Sequence, residues 1–398
     1  MRVLCSTTPM DGVFGPFIPL GRALVQAGHE VVVATGANLE ARVAENGLEF
    51  VDAGLSAMDG VVAAMGDVEV KKAPPEDRIR FPAAMFGSAH PEAKLPALRE
   101  LAAARPFDLV VHPPVDLSAP LLAAELGVPS VCYGFGQPFD PDVVAAMAAR
   151  SRPLWETAGI EPDPYGGIYR RLYLDPRPPR LRTGGTIPAG THPIRPEIPG
   201  DPGAALPPWA DGLGERPVVY VSLGTAPLFN QPAKFAPLLA GLVDEQVEAV
   251  VTISELHDPA ALGELPATVH VERWLPMAPL LPRCDAVLCH GGTGTTLAAL
   301  TAGLPLVVVP QGADQFDNAR ACEQAGAARV LMPDQVTETA VREATHAVLA
   351  QGSPERTAAQ ELSNEIAAMP SATQVAEHLE SRTSRPQNGP GEAQAPTV

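Results

Sequence analysis

The sequence lacks the features of a membrane, secreted or zinc-binding protein. No apolar run approaches the roughly 20 residues that cross a bilayer, and the opening Met1–Ser6 has neither the apolar core nor the cleavage site of a signal peptide. The five cysteines show no paired spacing, and Cys284 and Cys289 are too far apart for a Cys-x-x-Cys motif. We therefore expect reduced thiols in a cytoplasmic protein that holds no metal.

Positive charge is also scarce. The 28 lysine and arginine residues are outnumbered by 46 aspartate and glutamate residues, which gives a formal net charge of −18. Such a surface repels a polyanion, so nucleic acid is not an expected partner. The length of 398 residues and the apolar content of 46% are those of a globular protein with two domains of ordinary size.

Short apolar runs alternate with helical patterns along most of the chain. Near the N terminus, a strand at 3–7 is followed by a helical pattern at 16–28 and a second strand at 30–35. Strands that alternate with helices of about ten to fifteen residues form parallel βαβ units. We therefore predict an α/β protein with two Rossmann-like, doubly wound domains that face each other across a cleft, where ligands of such sheets bind.

Proline marks the boundary between the two domains. Eleven prolines crowd residues 176–217, and this density excludes a helix or an inner strand over most of the segment. We assign residues 1–200 to the first domain, 201–216 to a linker and 217–380 to the second domain. The tail, 381–398, has no run of apolar residues to anchor it, so we expect it to be disordered.

A strand that runs into a glycine-rich turn predicts an anion site in the second domain. Residues 286–289 are an apolar strand, His290 follows it, and a turn with three glycines then opens a helical pattern at 297–300. The free N–H groups and the dipole of a helix N terminus attract negative charge, and glycine allows close approach of the backbone. His290 supplies a further donor for a phosphate oxygen.

The next strand, at 306–309, delivers hydroxyl-binding side chains to the same edge of the sheet. Gln311, Asp314 and Gln315 follow its carboxyl end. A phosphate site next to a polyol site indicates that the ligand is a nucleotide sugar.

Six motifs occur in the order found in a known enzyme family. They are Gly-His-Glu at 28–30, Ser-Leu-Gly-Thr at 222–225, Trp-Leu-Pro-Met at 274–277, His-Gly-Gly-Thr-Gly-Thr at 290–295, Ala-Gly-Leu-Pro at 302–305 and Pro-Gln-Gly-Ala-Asp-Gln at 310–315. Residues 1–375 thus resemble the antibiotic-tailoring branch of the family 1 nucleotide-sugar glycosyltransferases, which have the GT-B fold. The resemblance implies inverting, metal-independent sugar transfer with no cofactor, from a nucleotide diphosphate sugar, here expected to be dTDP-linked.

The resemblance also implies which residues bind the donor. The residues around Trp274 would hold the base, the turn after His290 the diphosphate, and the residues after the next strand the sugar. The donor-binding set implied in this way is Ser222, Gly224, Thr225, Trp274, Leu275, Met277, His290, Gly292, Thr293, Gly294, Thr295, Asp314 and Gln315. The first domain would then bind the acceptor.

One position departs from the family pattern. The family commonly places a histidine, sometimes an aspartate, as general base in the loop after the first strand, and the corresponding residue here is Val13. Valine cannot accept a proton, so either a carboxylate replaces the histidine or the acceptor needs less help. A phenol needs less, because its pKa of about 10 is far below that of an alcohol and its ring carbons become nucleophilic when it ionises.

The missing histidine, together with the residues at 312–314, resembles the C-glycosyltransferases that act on aromatic polyketides and catechol siderophores. We therefore expect a phenolic aromatic acceptor. The carboxylates that are candidates for the base are Asp11, Glu69, Asp116 and Asp142. The apolar side chains that are candidates for the acceptor wall are Phe14, Phe81, Met85 and Phe86.

Other functions fit parts of the same pattern. A dehydrogenase needs a Gly-x-Gly-x-x-Gly turn after the first strand, and residues 7–15 lack that spacing. A nucleotide-sugar epimerase would need no hydrophobic acceptor pocket. A non-catalytic nucleotide-sugar-binding partner protein and an O-glycosyltransferase of a polyketide or macrolide hydroxyl stay open. The expected partners are two small molecules, with a homodimer as the candidate assembly.

Overall fold

Two parallel β-sheets organise the structure, a computed structural model that describes residues 1–56, 59–60, 77–183, 187, 190–226, 229–243, 246–255 and 257–383. Among these residues the first sheet has seven strands in the order β3-β2-β1-β4-β5-β6-β7. Its strands are β1 Arg2–Ser6, β2 Glu30–Thr35, β3 Glu49–Asp52, β4 Leu109–His112, β5 Ser130–Tyr133, β6 Leu172–Asp175 and β7 Gly190–Pro193.

The second sheet has six described strands, in the order β10-β9-β8-β11-β12-β13. They are β8 Val218–Ser222, β9 Glu248–Thr252, β10 Val269–Glu272, β11 Ala286–Cys289, β12 Leu306–Val308 and β13 Ala328–Val330. All neighbouring strands in both sheets are parallel. The predicted pair of doubly wound, Rossmann-like domains is therefore confirmed.

Helices connect the strands of both sheets. In the first domain they are α1 Asp11–Phe14, α2 Ile18–Gln26, α3 Glu40–Glu45, α4 Asp77–Ala84, α5 His90–Ala104, α6 Ser118–Leu126 and α7 Pro141–Thr157, with a π-helical turn at Met85–Ala89. After β8 come α8 Pro232–Leu242, α9 Met277–Leu280, α10 Thr293–Thr301, α11 Gln315–Gln324, α12 Glu338–Leu349, α13 Pro354–Ala367 and α14 Ala372–Thr383. In the described part of the chain, no helix is long and apolar enough to span a membrane.

Both sheets are covered on two faces, which explains why their inner strands are mostly apolar, whereas the edge strands β3, β7 and β10 carry polar residues. In β1, Val3 and Cys5 join the core on one face of the first sheet, and Leu4 joins the core on the other face. In β11, Val287 and Leu288 alternate between the two cores of the second sheet in the same way. The period of two along each strand thus sorts side chains between two helix layers.

The strand order places a crevice in each domain. In the first sheet the order reverses between β1 and β4, and in the second sheet it reverses between β8 and β11. Loops that leave the carboxyl ends of two such neighbours depart to opposite faces of the sheet and open a crevice between them. The chain segments at this point are those after Ser6, His112, Ser222 and Cys289, and they include about half of the predicted site residues.

The last helix crosses back to the first domain. The sequence predicts residues 217–380 as one domain, but the apolar face of α14, with Val375 and Leu379, is part of the core that contains Phe14 and Phe17. The main-chain N–H of Arg195 also donates to the carbonyl of Pro370 at 2.8 Å. This helix therefore joins the two domains a second time. It ends at Thr383, and the rest of the predicted disordered tail lies outside the described residues.

The structure of the proline-rich segment agrees with the prediction that it contains no inner strand. Within its described part, β7 pairs only with β6 and so forms an edge of the first sheet. The predicted linker, 201–216, packs on the second domain, where Trp209 Nε1 donates to Glu272 Oε1 at 3.0 Å. Arg283 Nη1 donates to the carbonyl of Ala210 at 2.7 Å. These contacts hold the linker against the second sheet.

Candidate active site

His290 lies at the crevice of the second domain, between two glycines. A Cβ atom on either Gly224 or Gly292 would come closer than 3.0 Å to the imidazole, so neither position has room for a side chain. Gly224 also has a φ of 77°, which glycine adopts without strain. The two loops that follow β8 and β11 therefore enclose the ring from both sides and fix its position.

The His290 imidazole is neutral at physiological pH. Burial lowers the pKa of His290 to about 4, and a main-chain contact with Ser222 opposes that shift only in part. Among the described residues, Nδ1 has no hydrogen-bond partner of ordinary geometry. A neutral imidazole still has one N–H, so His290 can donate to a phosphate oxygen without carrying a charge of its own.

The first turn of α10 opens onto the same crevice. Gly292 is the N-cap residue, and no side chain caps the first N–H groups of the helix. Uncapped N–H groups at a helix N terminus bind anions such as phosphate. The N terminus of α10 and the neutral His290 side chain thus supply several hydrogen-bond donors at one place, as the sequence predicts.

A hydrogen-bond network joins this turn to the next predicted site residue. The Thr293 hydroxyl donates to Asp314 Oδ2 at 2.8 Å, and Asn318 Nδ2 donates to the same carboxylate oxygen at 2.9 Å. Burial raises the pKa of Asp314, and these two hydrogen bonds act in the opposite direction. Asp314 is therefore anchored to the glycine-rich turn at the side of the crevice where α11 begins.

Gln315 is buried and fixes the loop that precedes it. Its amide oxygen Oε1 accepts the main-chain N–H groups of Gln311 at 2.8 Å and Gly312 at 3.1 Å. A contact from Gln315 to a ligand hydroxyl would therefore use the amide nitrogen. The loop 311–314 is held rigidly beside the anion site.

Trp274 is the most exposed large apolar side chain of the described residues, at 54% exposure, whereas the next residue, Leu275, is buried. Met277, which begins α9, is half-buried. An exposed indole face can stack on a planar base. Ser222 is buried at the end of β8, and Thr225 is exposed one residue beyond Gly224. The predicted donor residues thus lie at the carboxyl ends of β8, β10, β11 and β12 or on the segments that follow them.

The first domain closes over this surface. A Cβ atom on Gly136, in the loop between β5 and α7, would come closer than 3.0 Å to the Thr293 hydroxyl. Asp11, the first residue of α1, lies near enough to Glu255 of the second domain for that carboxylate to raise its pKa. The two predicted halves of the cleft therefore face each other.

Comparisons with known proteins agree with this arrangement. Two family models, "Erythromycin biosynthesis protein CIII-like, N-terminal domain" and "C-terminal domain", match residues 22–164 and 236–381. The chain is 35% identical over 388 residues to the L-demethylnoviosyl transferase of Streptomyces niveus, which covers 95% of this chain and 97% of that protein. The family is thereby shown. The chain is a glycosyltransferase of the erythromycin CIII-like family.

Solved structures support the same family. The glycosyltransferase SnogD from Streptomyces nogalater superposes with a TM-score of 0.79 at 31% identity, covering 96% of this chain and all of SnogD. The glycosyltransferase SsfS6 from Streptomyces sp. SF2575, complexed with thymidine diphosphate, has a TM-score of 0.79 at 27% identity and covers 96% of this chain and 99% of that structure. The resemblance to antibiotic glycosyltransferases of the GT-B fold is therefore confirmed, and the enzyme acts on nucleotide sugars.

Of the three candidate carboxylates that the structure describes, Asp11 is the one whose pKa is affected by a residue of the second domain, Glu255. Its side chain is 53% exposed, and Arg42 Nε is 3.9 Å from Oδ1. Burial raises the pKa of Asp11, Arg42 lowers it and Glu255 raises it, with a net upward shift. A carboxylate with a raised pKa at a domain interface is a stronger base than an ordinary one.

Asp116 is fully engaged inside the first domain. Lys94 Nζ donates to Asp116 Oδ2 at 2.8 Å, Ser6 donates to it at 2.7 Å, and the Ser118 hydroxyl donates to Oδ1. Burial alone would raise the pKa of Asp116, but the Lys94 ammonium and the serine hydroxyls outweigh it and hold the pKa well below its usual range. Such a weak base is poorly suited to accept a proton, so we assign Asp116 a structural role.

The buried pair between Lys94 and Asp116 supports the loop after β1. Lys94 Nζ also donates to the carbonyl of Thr7 at 2.6 Å. The Tyr133 hydroxyl donates to Thr7 Oγ1 at 3.0 Å and to the carbonyl of Val13 at 3.2 Å. Val13 itself is buried. These buried hydrogen bonds thus hold in place the segment after β1 that would carry the family's histidine. The sequence motifs give no sign of this support.

The remaining two carboxylates differ. Asp142 is exposed in the first turn of α7, where its N–H donates to the cap residue Asp140 at 2.8 Å, so its charge complements the helix dipole. Glu69 lies outside the described residues. Among the described residues, Asp142 has no contact with the donor loops that would bring it to the ligand.

Of the four residues predicted to line the acceptor pocket, two are buried in the core and two are partly exposed. Phe14 is completely buried and packs near Phe17 in the core of the first domain, so its ring offers no surface to an acceptor. Met85 is also buried. Phe81 and Phe86 are half-buried, and Phe86 stacks on His90 with ring centroids 6.1 Å apart. Phe81 and Phe86 are therefore the residues of this set that can still contact a ligand.

Sequence motifs missed a group of residues on the loop after β8. Asn230 is buried and donates to the carbonyl of Gly224, which holds that loop against His290. Phe229 has its ring centroid 6.4 Å from that of His290. Both lie five or six positions beyond Gly224, outside the Ser-Leu-Gly-Thr motif, so only their approach to His290 in space identifies them.

Proposed function

We propose that this glycosyltransferase transfers a deoxysugar from a dTDP-linked donor to a phenolic aromatic natural product, with inversion and without a metal ion. The part of this proposal that concerns the donor rests on the position of His290 between Gly224 and Gly292, next to the uncapped start of α10. We expect these N–H groups to stabilise the negative charge that develops on the leaving diphosphate. Thymidine diphosphate in the related SsfS6 supports dTDP as the carrier.

The part of this proposal that concerns the acceptor rests on Asp11 and Val13. Asp11 faces the second domain with a raised pKa, whereas Val13 is buried and cannot take a proton. A single carboxylate is a weak base for an alcohol, whose pKa lies far above that of a phenol. Asp11 is therefore better matched to a phenol, which ionises about five or six pKa units more easily than an alcohol.

A phenolate can attack through oxygen or through the adjacent ring carbon, and we propose the carbon. In that reaction, the ring carbon forms a bond to the anomeric carbon while the bond from the anomeric carbon to the diphosphate oxygen breaks. The electron pair leaves with dTDP. The ring carbon of the resulting dienone then loses its proton to solvent while the oxygen regains, from protonated Asp11, the proton that the phenol gave up, which restores the aromatic ring and gives a C-glycoside. Attack from the face opposite the diphosphate inverts the anomeric centre.

A panel of phenols and aliphatic alcohols, each incubated with several dTDP-sugars, tests this function. Mass spectrometry would identify products, NMR coupling constants would give the anomeric configuration, and acid treatment would separate stable C-glycosides from labile O-glycosides. Transfer only to an aliphatic hydroxyl would instead identify an O-glycosyltransferase. Tight dTDP binding without transfer to any acceptor would identify a non-catalytic partner protein.

The location of the protein is also a proposal. All five cysteines are free and buried. Free thiols persist in a reducing compartment, which supports a cytoplasmic enzyme.

A further inference from the structure

The loop after β5 carries two phenylalanines at the point where the two domains touch. Phe135 precedes Gly136, the residue that packs on Thr293, and Phe139 follows three residues later. Both side chains are half-buried, and their rings meet edge to face with centroids 6.2 Å apart. Because Thr293 begins α10, Phe135 lies next to the proposed donor site, and Phe139 lies one ring further into the first domain.

Further half-buried aromatic side chains continue this surface. Phe86, Phe139 and Tyr169 pack against one small core of the first domain, whose buried members include Leu117. Leu117 lies in the segment that follows β4, at the crevice of this domain. The four residues Phe86, Phe135, Phe139 and Tyr169 thus form an aromatic rim that begins beside the donor site and extends along the first domain.

Hydrogen bonds fix the loop that carries the two phenylalanines. Gln137 Nε2 donates to the carbonyl of Leu181 at 2.7 Å, and Gln137 Oε1 accepts from Arg177 Nη1 at 2.7 Å. Arg177 also donates to both carboxylate oxygens of Asp175, so its charge is compensated. The loop therefore presents its rings in a fixed position before a ligand binds, which lowers the entropy that binding costs.

The rim offers apolar ring faces, which favour a flat aromatic ligand. Aromatic rings prefer offset-stacked or edge-to-face contacts, and such pairs stabilise a complex beyond the effect of the buried area alone. The planes of Phe135 and Phe139 differ by 78°, so a flat ligand that stacks on the face of one ring meets the edge of the other. Fused rings are wide enough to make both contacts in full, whereas a single ring covers only one of them.

We propose that Phe135 and Phe139 form the surface on which the acceptor stacks, so that the enzyme selects a phenol within a fused aromatic ring system over a single-ring phenol. The inference rests on the proposed function, since it assumes that a phenolic acceptor occupies the first domain. Stacking on Phe135 places the acceptor next to Thr293 and hence near the donor sugar. Phe86 and Tyr169 extend the contact for a larger acceptor.

The test measures the Kd of hydroxyanthraquinone and of phenol by calorimetry, with dTDP in the donor site so that no transfer takes place. Wild type should bind hydroxyanthraquinone at least about tenfold more tightly than phenol. Phe135→Leu and Phe139→Leu, which keep an apolar side chain but remove the ring, should each weaken hydroxyanthraquinone binding about tenfold and phenol binding less than about threefold. Phe139→Tyr keeps the ring and should bind within about twofold of wild type.

Two controls make the result specific. Phe50→Leu changes a half-buried phenylalanine on the edge strand β3, which lies on the other side of β1 from β5, and it should leave both Kd values unchanged. The Kd of dTDP alone should change less than about twofold in every variant, and a melting curve would verify that each variant folds.

Different outcomes would overturn the stacking surface and the proposed function. Equal affinity of wild type for hydroxyanthraquinone and phenol, or unchanged hydroxyanthraquinone affinity in both leucine variants, would reject the stacking surface while leaving the transferase function intact. Weakened binding in the leucine variants, together with no transfer to any phenol from any dTDP-sugar, would reject the proposed function and support the stacking surface.

Discussion

Gly136 of the first domain packs directly on Thr293 of the second, with no room between them for a side chain. Thr293 begins α10 and hydrogen-bonds to Asp314, so this contact connects the loop after β5 to the donor-binding turn. The two domains therefore touch at the residues that would hold the diphosphate and the sugar. Any change in this contact should alter how the first domain closes over the donor.

Substitution of Gly136 by alanine should impair catalysis more than it impairs folding. The new methyl group would meet the Thr293 hydroxyl closer than 3.0 Å, so the domains must separate or the turn must shift. Small misplacements of this kind cost up to about 100-fold in rate, and we expect kcat/KM to fall at least about tenfold. Gly212→Ala, where the methyl group meets nothing within 4 Å, is the matched control. Wild-type kinetics in Gly136→Ala would show that the contact does not matter for turnover.

Replacement of His290 by alanine should lower kcat by about 100-fold, because it removes one preorganised donor to the leaving diphosphate. The variant should still fold, since its side chain makes few hydrogen bonds, and a melting curve would verify this. Steady-state kinetics with a dTDP-sugar gives the measurement. Turnover close to wild type in a folded variant would refute the assignment of the donor site.

The same histidine predicts how stability depends on pH. The pKa of His290 is about 4 in the folded protein, below the ordinary value of 6.5, so the unfolded chain binds the proton more readily between these two values. The stability linked to His290 is therefore fully present above pH 6.5 and is lost as the pH falls towards 4, by about 3 kcal/mol in total.

Chemical denaturation of wild type and His290→Gln at pH 7.5 and pH 5 would check this sign. Wild type should lose more free energy of unfolding than the variant as the pH falls. Other buried histidines titrate in both proteins, so the difference between the two isolates His290. An identical pH dependence would mean that the folded-state pKa is not depressed.

Asp11→Asn should reduce kcat for a phenolic acceptor by about 100-fold or more, because a general base contributes about 10²–10⁴ in rate. In wild type, activity should fall at low pH as the raised pKa of Asp11 is crossed, and this acidic limb should vanish in the variant. Glu156→Gln, which alters an exposed carboxylate on α7, serves as the control. If the pH profile keeps its acidic limb, another group is the base.

Chelation by EDTA should leave the rate unchanged. We expect the uncapped N–H groups of α10 and the His290 imidazole to stabilise the diphosphate without Mg²⁺. Rates measured with EDTA and with added Mg²⁺ would settle the matter. Loss of activity on chelation, with recovery on addition of metal, would require a cation in the site.

Local sequence patterns predicted much of the fold and part of the site. Alternation of short apolar runs with helical patterns indicated two parallel sheets because the periods of two and 3.6 residues are properties of neighbouring residues. The glycine-rich turn after His290 could be recognised for the same reason, since a strand end, a turn and a helix start are contiguous in the chain.

Contacts between distant residues decided the rest. Phe14 looked like a wall for a flat acceptor, but its burial depends on packing against Phe17 and α14, which is about 360 residues away. Asp116 looked like a possible base, but Lys94 and Ser6, on other elements, hold its pKa down. Burial and pairing set the pKa of a group, and neither is visible in its neighbours along the chain.

The sequence by itself thus determined the two doubly wound domains and the glycine-rich turn that begins α10, because each follows from residues close together in the chain. Only the tertiary structure decided that Asp11 lies within electrostatic range of Glu255, that Gly136 packs on Thr293 and that Lys234 contacts Gln311. Each of these pairs joins segments far apart in sequence, and the packing of whole elements brings them together.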